Sequence, residues 1–259
     1  MPCAVITGAS SGLGQEYARY IARTHPEIDR FYFIARREER LEALKRELHR
    51  DAVILPLDLT QDESYAAISA QFRKDKPEIR LLICNAGYGK YGAFASIPLE
   101  EQYGLVDLNC RALTAVTQIA LPYMQKGGAI VEVCSIAAFV PTPNMSVYSS
   151  TKAYVFSLSK ALRCELKSRG VNVLAVCPCP MDTEFLSIAG IAEKKTSFNH
   201  LPRIQPELVV RKSVERALKG KAVYTGKVLY KVYRVLAKLL PHNWLMKLTT
   251  CLLYTSRCV

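Results

Sequence analysis

Short apolar runs rich in β-branched residues alternate along this chain with stretches of helical periodicity, and no other feature restricts its fold so strongly. The runs lie at 3–7, 31–35, 53–57, 81–84, 129–134, 171–177 and 222–225. Helical patterns fall between them at about 12–24, 38–50, 62–74, 100–126, 147–169 and 206–219. A run such as Leu81-Leu82-Ile83-Cys84 has no polar alternation, which suits a strand covered on both faces. The stretch 38–50 gathers Leu41, Leu44 and Leu48 on one side and charge on the other.

Strand–helix alternation predicts an α/β fold of the Rossmann type: a doubly wound, seven-stranded parallel sheet flanked by helices through right-handed crossovers. With 259 residues, half of them hydrophobic, the chain is long enough for one such domain, expected at 1–226. A basic amphipathic extension follows at 227–250. No linker or internal repeat interrupts the pattern. The least regular stretch, 179–205, follows the sixth strand, where an open α/β sheet carries its ligand loops.

The first strand runs into Thr7-Gly8-Ala9-Ser10-Ser11-Gly12-Leu13-Gly14, which then opens a helix. In that context Gly8 allows a sharp turn, while Gly12 and Gly14 allow close approach of backbone and helix. The N–H groups of Ser10, Ser11 and Leu13 are then free to face a pyrophosphate. An ordinary glycine-rich turn is the alternative. At the end of the second strand stands Ala35-Arg36-Arg37. An acid there would bind a ribose diol, as NAD-preferring sites do. Ala35 supplies none, and Arg36, with Arg37 as a second candidate, suits a 2′-phosphate, so the charge favours NADP(H) over NAD(H). Glu38 and Glu39 fit the first turn of the next helix. Asp58-Leu59 and Asn85-Ala86-Gly87 end the third and fourth strands at the edge where cofactors bind; each could equally be a turn or a cap.

Tyr148 and Lys152 stand one helical turn apart and so share a face. A phenol titrates near 10, too high for a base at neutral pH. An ammonium beside it is expected to lower that value. Ser135, ending the fifth strand, is poised to donate a hydrogen bond where negative charge develops on a reacting oxygen. Taken alone, Tyr-x-x-x-Lys would read as a surface pair; the strand-end serine and the glycine turn reverse that reading.

Thr7-Gly8-x-x-x-Gly12-x-Gly14, Asn85-Ala86-Gly87, Asn109, Ser135 and Tyr148-x-x-x-Lys152 together resemble the short-chain dehydrogenase/reductase family over about residues 3–226. The resemblance implies Tyr148 as acid/base, Lys152 on the nicotinamide ribose, Ser135 orienting a carbonyl and Asn109 supporting a proton-relay water. It implies cofactor contacts at Pro178 and Thr183, and a homodimer or homotetramer built through the helices at 100–126 and 147–169. Where the family has Pro-Gly, this chain has Pro178-Cys179, a departure that bears on the local backbone.

Tyr88, Phe139, Val140, Met181, Phe185, Ile188 and Phe198 are candidates for an apolar substrate wall, though such residues are also ordinary core. No Arg or Lys occurs in 179–192, which disfavours a strongly anionic substrate. The expectation is an NADP(H)-dependent oxidoreductase interconverting a hydrophobic ketone and a secondary alcohol, steroid-like or fatty. A non-catalytic nucleotide-sensing or interaction protein on the same fold is the alternative.

The nine cysteines form no C-x-x-C pair and no zinc-spaced cluster, so no metal is expected. With the first strand beginning at once and no long uncharged apolar stretch, the expectation is a reduced, cytoplasmic protein, with peripheral membrane contact left open. The net charge of +12 is concentrated late: no acid follows Glu215, whereas Lys227, Lys231, Arg234 and Lys238 share a helical stripe beside Val228, Val232, Val235, Leu236, Leu239 and Leu240. Pro241 is expected to end that helix. It can pack on the domain, join subunits or lie on an anionic membrane; the first two are favoured. Nothing in the chain forms a nucleic-acid motif or stacking platform. Residues 251–259 read as translated sequencing-adapter DNA, with a native hydrophobic terminus as the alternative, so Cys251 and Cys258 carry no argument.

Overall fold

The computed structural model describes residues 1–191 and 201–253, with side chains described as far as 247. Its centre is a seven-stranded parallel sheet in the order β3-β2-β1-β4-β5-β6-β7. The strands are β1 (Pro2–Thr7), β2 (Arg30–Ala35), β3 (Asp51–Pro56), β4 (Glu78–Cys84), β5 (Met124–Val133), β6 (Asn172–Cys177) and β7 (Val223–Thr225). Helices α1 (Gly12–Thr24), α2 (Glu38–Leu48) and α3 (Asp62–Asp75) alternate with the first strands. Then come α4 (Leu99–Val106), α5 (Leu113–Ala120), α6 (Ser146–Glu165), the short α7 (Glu184–Ile188), α8 (Pro206–Leu218), α9 (Val228–Leu239) and α10 (His242–Leu253).

The period of two along each strand feeds two cores. Ala4 and Ile6 of β1, with Leu81 and Ile83 of β4, face Tyr17, Ile21, Leu41 and Val214 of α1, α2 and α8. Cys3 and Val5, with Leu82 and Cys84, face Ile68, Phe72, Val116 and Val155 of α3, α5 and α6. Fully burying each large aliphatic side chain stabilises by about 1.5–3 kcal/mol, so residues that look redundant in the sequence divide the work between two layers. The order in which strands are added reverses between β1 and β4, and a crevice opens beyond their carboxyl ends.

Several boundaries differ from the sequence reading. The stretch 100–126 is not one helix: a π-helical turn at Asp107–Ala112 separates α4 from α5, and a short 3-10 turn at Leu121–Tyr123, carrying Pro122, closes it. β5 begins at Met124, inside the span assigned to that helix. α6 stops at Glu165, and Gly170 turns with φ of +67° before β6. β3 starts at Asp51, whose side chain pairs with Arg30 at 2.6 Å. α9 ends before Pro241 as expected, but a further helix, α10, follows. Of the stretch read as translated adapter DNA, residues 254–259 lie outside the described residues.

Candidate active site

The glycine turn is built by close approach. Gly8 has φ of +67°, and a Cβ there would stand 2.8 Å from Asn85 Nδ2. A Cβ on Gly14 would meet the Gly8 carbonyl oxygen. Asn85 closes the turn by donating from Nδ2 to the Thr7 and Gly8 carbonyls at 3.2 and 3.3 Å. The Thr7 hydroxyl accepts from Asn85 N and Ala86 N, both at 3.0 Å. Ser11 precedes α1 in extended conformation and makes no side-chain cap, and the first turn has no acid. The leading N–H groups of α1 therefore point unsatisfied toward the crevice, a site suited to an anion.

Beyond the sheet edge lies a cavity of about 700 Å³. Gly8, Ser10, Ser11, Gly12, Leu13, Arg36, Arg37, Asp58, Leu59, Asn85, Ala86 and Gly87 line one part of it. Ser135, Tyr148, Lys152, Pro178 and Thr183 line another. Gly14 sits behind the turn. Asn109 is also behind the wall, fully buried within the π-helical turn. Its Oδ1 accepts from Tyr88 N at 3.1 Å, while Nδ2 donates to Tyr88 O at 2.9 Å and to Thr151 Oγ1 at 3.0 Å. The extra residue of a π turn thus aims Asn109 at the strand-end backbone.

Tyr148 and Lys152 project from α6 against the end of β5. Lys152 Nζ lies 5.8 Å from the centroid of the Tyr148 ring and donates to the Val133 carbonyl at 2.8 Å. Ser135 caps a short 3-10 turn, its Oγ accepting from Ala137 N at 3.1 Å. The expected lowering of the phenol is reversed here. Burial pushes the Tyr148 phenol up, and hydrogen bonding with Ser135 pulls only partly against it. Burial likewise pushes the Lys152 ammonium down from its usual value. Desolvation of both groups outweighs their attraction, because neither side chain is more than 7% exposed.

At the rim, Asp58 is occupied locally: its Oδ1 accepts from Thr60 N and Oγ1, and Arg36 reaches Oδ2 only at 3.9 Å. Arg36 is 74% exposed and open to a ligand. Arg37 donates from Nε to Ser10 Oγ at 3.3 Å and pairs with Glu184 at 3.0 Å; Arg40 pairs with the same carboxylate at 2.5 Å. The two guanidiniums hold the Glu184 carboxyl down at about 2.

The apolar residues named as wall candidates divide between the cavity and the core. Tyr88, Met181, Phe185 and Ile188 line the cavity, whereas Phe139 and Val140 are buried in the core behind it. Phe198 lies outside the described residues. Met145, Leu186, Leu201, Leu229, Tyr230 and Tyr233 complete the wall, none of them singled out by the sequence. A helix that reads as an appendage gave no signal that Leu229, Tyr230 and Tyr233 would face the cavity. Lys90 lies at the edge, its charge offset by Glu101 at 2.7 Å.

Cys179 fits without strain. It is 3% exposed, and positive φ among the described non-glycine residues occurs only at His49, Lys76 and Asn144. Its thiol occupies the space left by Gly226, where an added Cβ would lie 2.8 Å from Sγ. Burial raises the Cys179 thiol, which makes it a packing group rather than a reactive one.

Known proteins are similar to this chain in sequence and fold. A short chain dehydrogenase family model matches residues 2–192. Serine 3-dehydrogenase of Rhizobium radiobacter is 32% identical over 204 residues, covering 78% of this chain and 81% of that protein. A short-chain dehydrogenase from Sphingobium yanoikuyae, solved in complex with NADPH, superposes with a TM-score of 0.79 at 30% identity, covering 100% of this chain and 99% of that one. The bulky-bulky ketone specific alcohol dehydrogenase of Comamonas testosteroni gives a TM-score of 0.74 at 29% identity, covering 95% and 94%. The chain belongs to the short-chain dehydrogenase/reductase family of nicotinamide-dependent oxidoreductases.

Proposed function

We propose that this protein is an NADP(H)-dependent carbonyl reductase, interconverting an apolar ketone and its secondary alcohol. The observation that carries the proposal is the Tyr148 hydroxyl, hydrogen-bonded with Ser135 and buried against a cavity whose lining includes Met145, Phe185, Leu186 and Ile188. The glycine turn, packed so tightly that a Cβ at Gly8 or Gly14 would collide with Asn85 or the Gly8 carbonyl, and the uncapped start of α1 fit a dinucleotide. Gly8, Ser10, Ser11, Gly12 and Leu13 would hold its pyrophosphate side, and Arg36 and Arg37 a 2′-phosphate. Asp58, Leu59, Asn85, Ala86 and Gly87 would line its middle, with Pro178 and Thr183 at the far end. When bound, the nicotinamide supplies or accepts the hydride.

Ser135 orients the substrate oxygen, and Tyr148 gives its proton to that oxygen as negative charge develops there. Lys152 fixes the strand end through Val133 and places a cation beside the ring. Asn109 holds the Tyr88 backbone and takes a positioning role. The fully buried phenol favours the protonated acid, which suits reduction. The bulky ketone named for the Comamonas protein agrees with the apolar wall here. Leu99, Tyr103, Val106 and Tyr154 are exposed on α4 and α6 and offer a face for a second copy in a dimer or tetramer.

Cofactor absorbance with aromatic and aliphatic ketones, using NADPH and NADH in parallel, tests the reading. Ketone reduction is expected to vary little from pH 6 to 8, because a raised phenol stays protonated throughout. Alcohol oxidation, which needs the ionised form, is expected to rise with pH across the same range. Tyr148→Phe should abolish both while NADPH still binds; turnover in that variant would remove Tyr148 from the mechanism.

A further inference from the structure

Helix α9 has two apolar faces, and only one is covered. Tyr230 is 4% exposed and donates to the Pro202 carbonyl at 3.1 Å, while Tyr233 and Ala237 pack on the core. On the other side Val228, Val232, Val235, Leu236 and Leu239 stand open, with Val228 71% and Leu239 73% exposed. Trp244, the chain's single tryptophan, follows Pro241 in the first turn of α10 and is 70% exposed. At 100° per residue the open apolar arc borders an edge formed by Lys227, Lys231 and Lys238, all exposed. No acid occurs beyond Glu215 to balance them.

We infer that the outer face of α9 docks on an anionic lipid bilayer, and that the cavity receives its apolar substrate from that side. An amphipathic helix with an apolar face, flanking lysines and a tryptophan matches the requirements of an interfacial helix. The lysine stems can lie along the apolar surface while their ammonium groups reach lipid phosphates. A second copy is the less complementary occupant: a twofold contact through this face would set the same unbalanced cationic edges close together. Moreover, α9 is itself a wall of the cavity through Leu229, Tyr230 and Tyr233. The surface on the bilayer and the wall of the site are thus adjoining faces of one helix, with Leu229, which lines the cavity and is 55% exposed, between them. The delivery step rests on the carbonyl reductase reading; the docking step does not.

The full chain is mixed with vesicles of phosphatidylcholine alone or with added phosphatidylglycerol, and read by sedimentation and Trp244 emission. The expected result is at least about tenfold more pelleting with phosphatidylglycerol, a blue shift of Trp244, and loss of both in high salt. Val232→Glu with Leu239→Glu, and separately Lys231→Glu with Lys238→Glu, should each abolish pelleting while reduction of a water-soluble ketone continues. Equal partition to both vesicle types, or no pelleting with an unshifted Trp244, overturns the inference; this reading uses the unsubstituted protein and needs no variant to fold. A lipid-free dimer that dissociates in the Val232→Glu, Leu239→Glu protein overturns it too, and assigns the face to a subunit contact. Neither readout involves cofactor or ketone, so vesicle binding without turnover would sink the catalytic reading alone.

Discussion

Glu132 carries a buried carboxyl near the carboxyl end of β5, with no access to water. Its Oε2 accepts from the Ser159 hydroxyl at 2.5 Å, and its Oε1 has no hydrogen-bond partner. Burial raises this acid from 4.5 to about 7, and the Ser159 hydrogen bond opposes only part of that shift. Below about pH 4.5 the carboxyl is neutral whether the chain is folded or not, and it costs nothing in linkage terms. As pH rises from there to about 7, the unfolded chain ionises while the fold keeps its proton, so stability falls. Above about 7 the loss is complete, on the order of 3 kcal/mol. Glu132→Gln removes the ionisation and keeps the shape. Urea unfolding at pH 5 and pH 8 should find the parent protein losing that much more stability than the variant between the two. Equal pH dependence in both would mean the carboxyl is hydrated or paired in solution. Tyr148 obeys the same physics, which is why its direction could not be read from Tyr-x-x-x-Lys. Spacing gives the ammonium's proximity, but desolvation is a sum over everything packed around the ring.

Elements differ in how much of themselves the sequence reveals. The strands were legible because a parallel sheet buries both faces, so Leu81-Leu82-Ile83-Cys84 has no polar residue to confuse the reading. The glycine turn was legible because its glycines are forced by backbone contacts, as at Gly8 against Asn85. The π turn around Asn109 was not, since one extra residue in a helix leaves no compositional trace. Nor was the ion-pair cluster joining α2 to α7, where Arg37 and Arg40 hold Glu184 from 147 and 144 residues away in sequence. That cluster fixes the start of α7, and the next residue, Phe185, packs its ring 5.5 Å from that of Tyr148. The groups are partly exposed, so the pairing is worth about 0.5–1 kcal/mol. Glu184→Gln should therefore raise KM for a ketone about two- to fivefold with kcat little changed. Initial rates at saturating NADPH check this. An equal fall in kcat with KM unmoved would instead make Glu184 part of the chemical step.

At the scale of the whole molecule, the crevice between the two halves of the sheet ties cofactor binding to global stability. A ligand that binds only the folded chain adds stability according to its excess over Kd, about 2.7 kcal/mol at a hundredfold excess. In a protein of this length that corresponds to a rise of about 5–10 °C in Tm. NADPH and NADH differ only at the 2′ position, where Arg36 stands open and Arg37 is held between Ser10 and Glu184. If those cations receive the extra phosphate, NADH at the same concentration sits near its own Kd and adds only about 0.4 kcal/mol, or 1–2 °C. Arg36→Ala with Arg37→Ala should bring the NADPH shift down to the NADH value while leaving the NADH shift in place. The comparison needs no substrate, so it separates cofactor choice from catalysis. A shift with NADH equal to or larger than that with NADPH in the parent protein would leave Arg37 to its Glu184 contact and Arg36 to solvent, and would overturn the preference for NADPH.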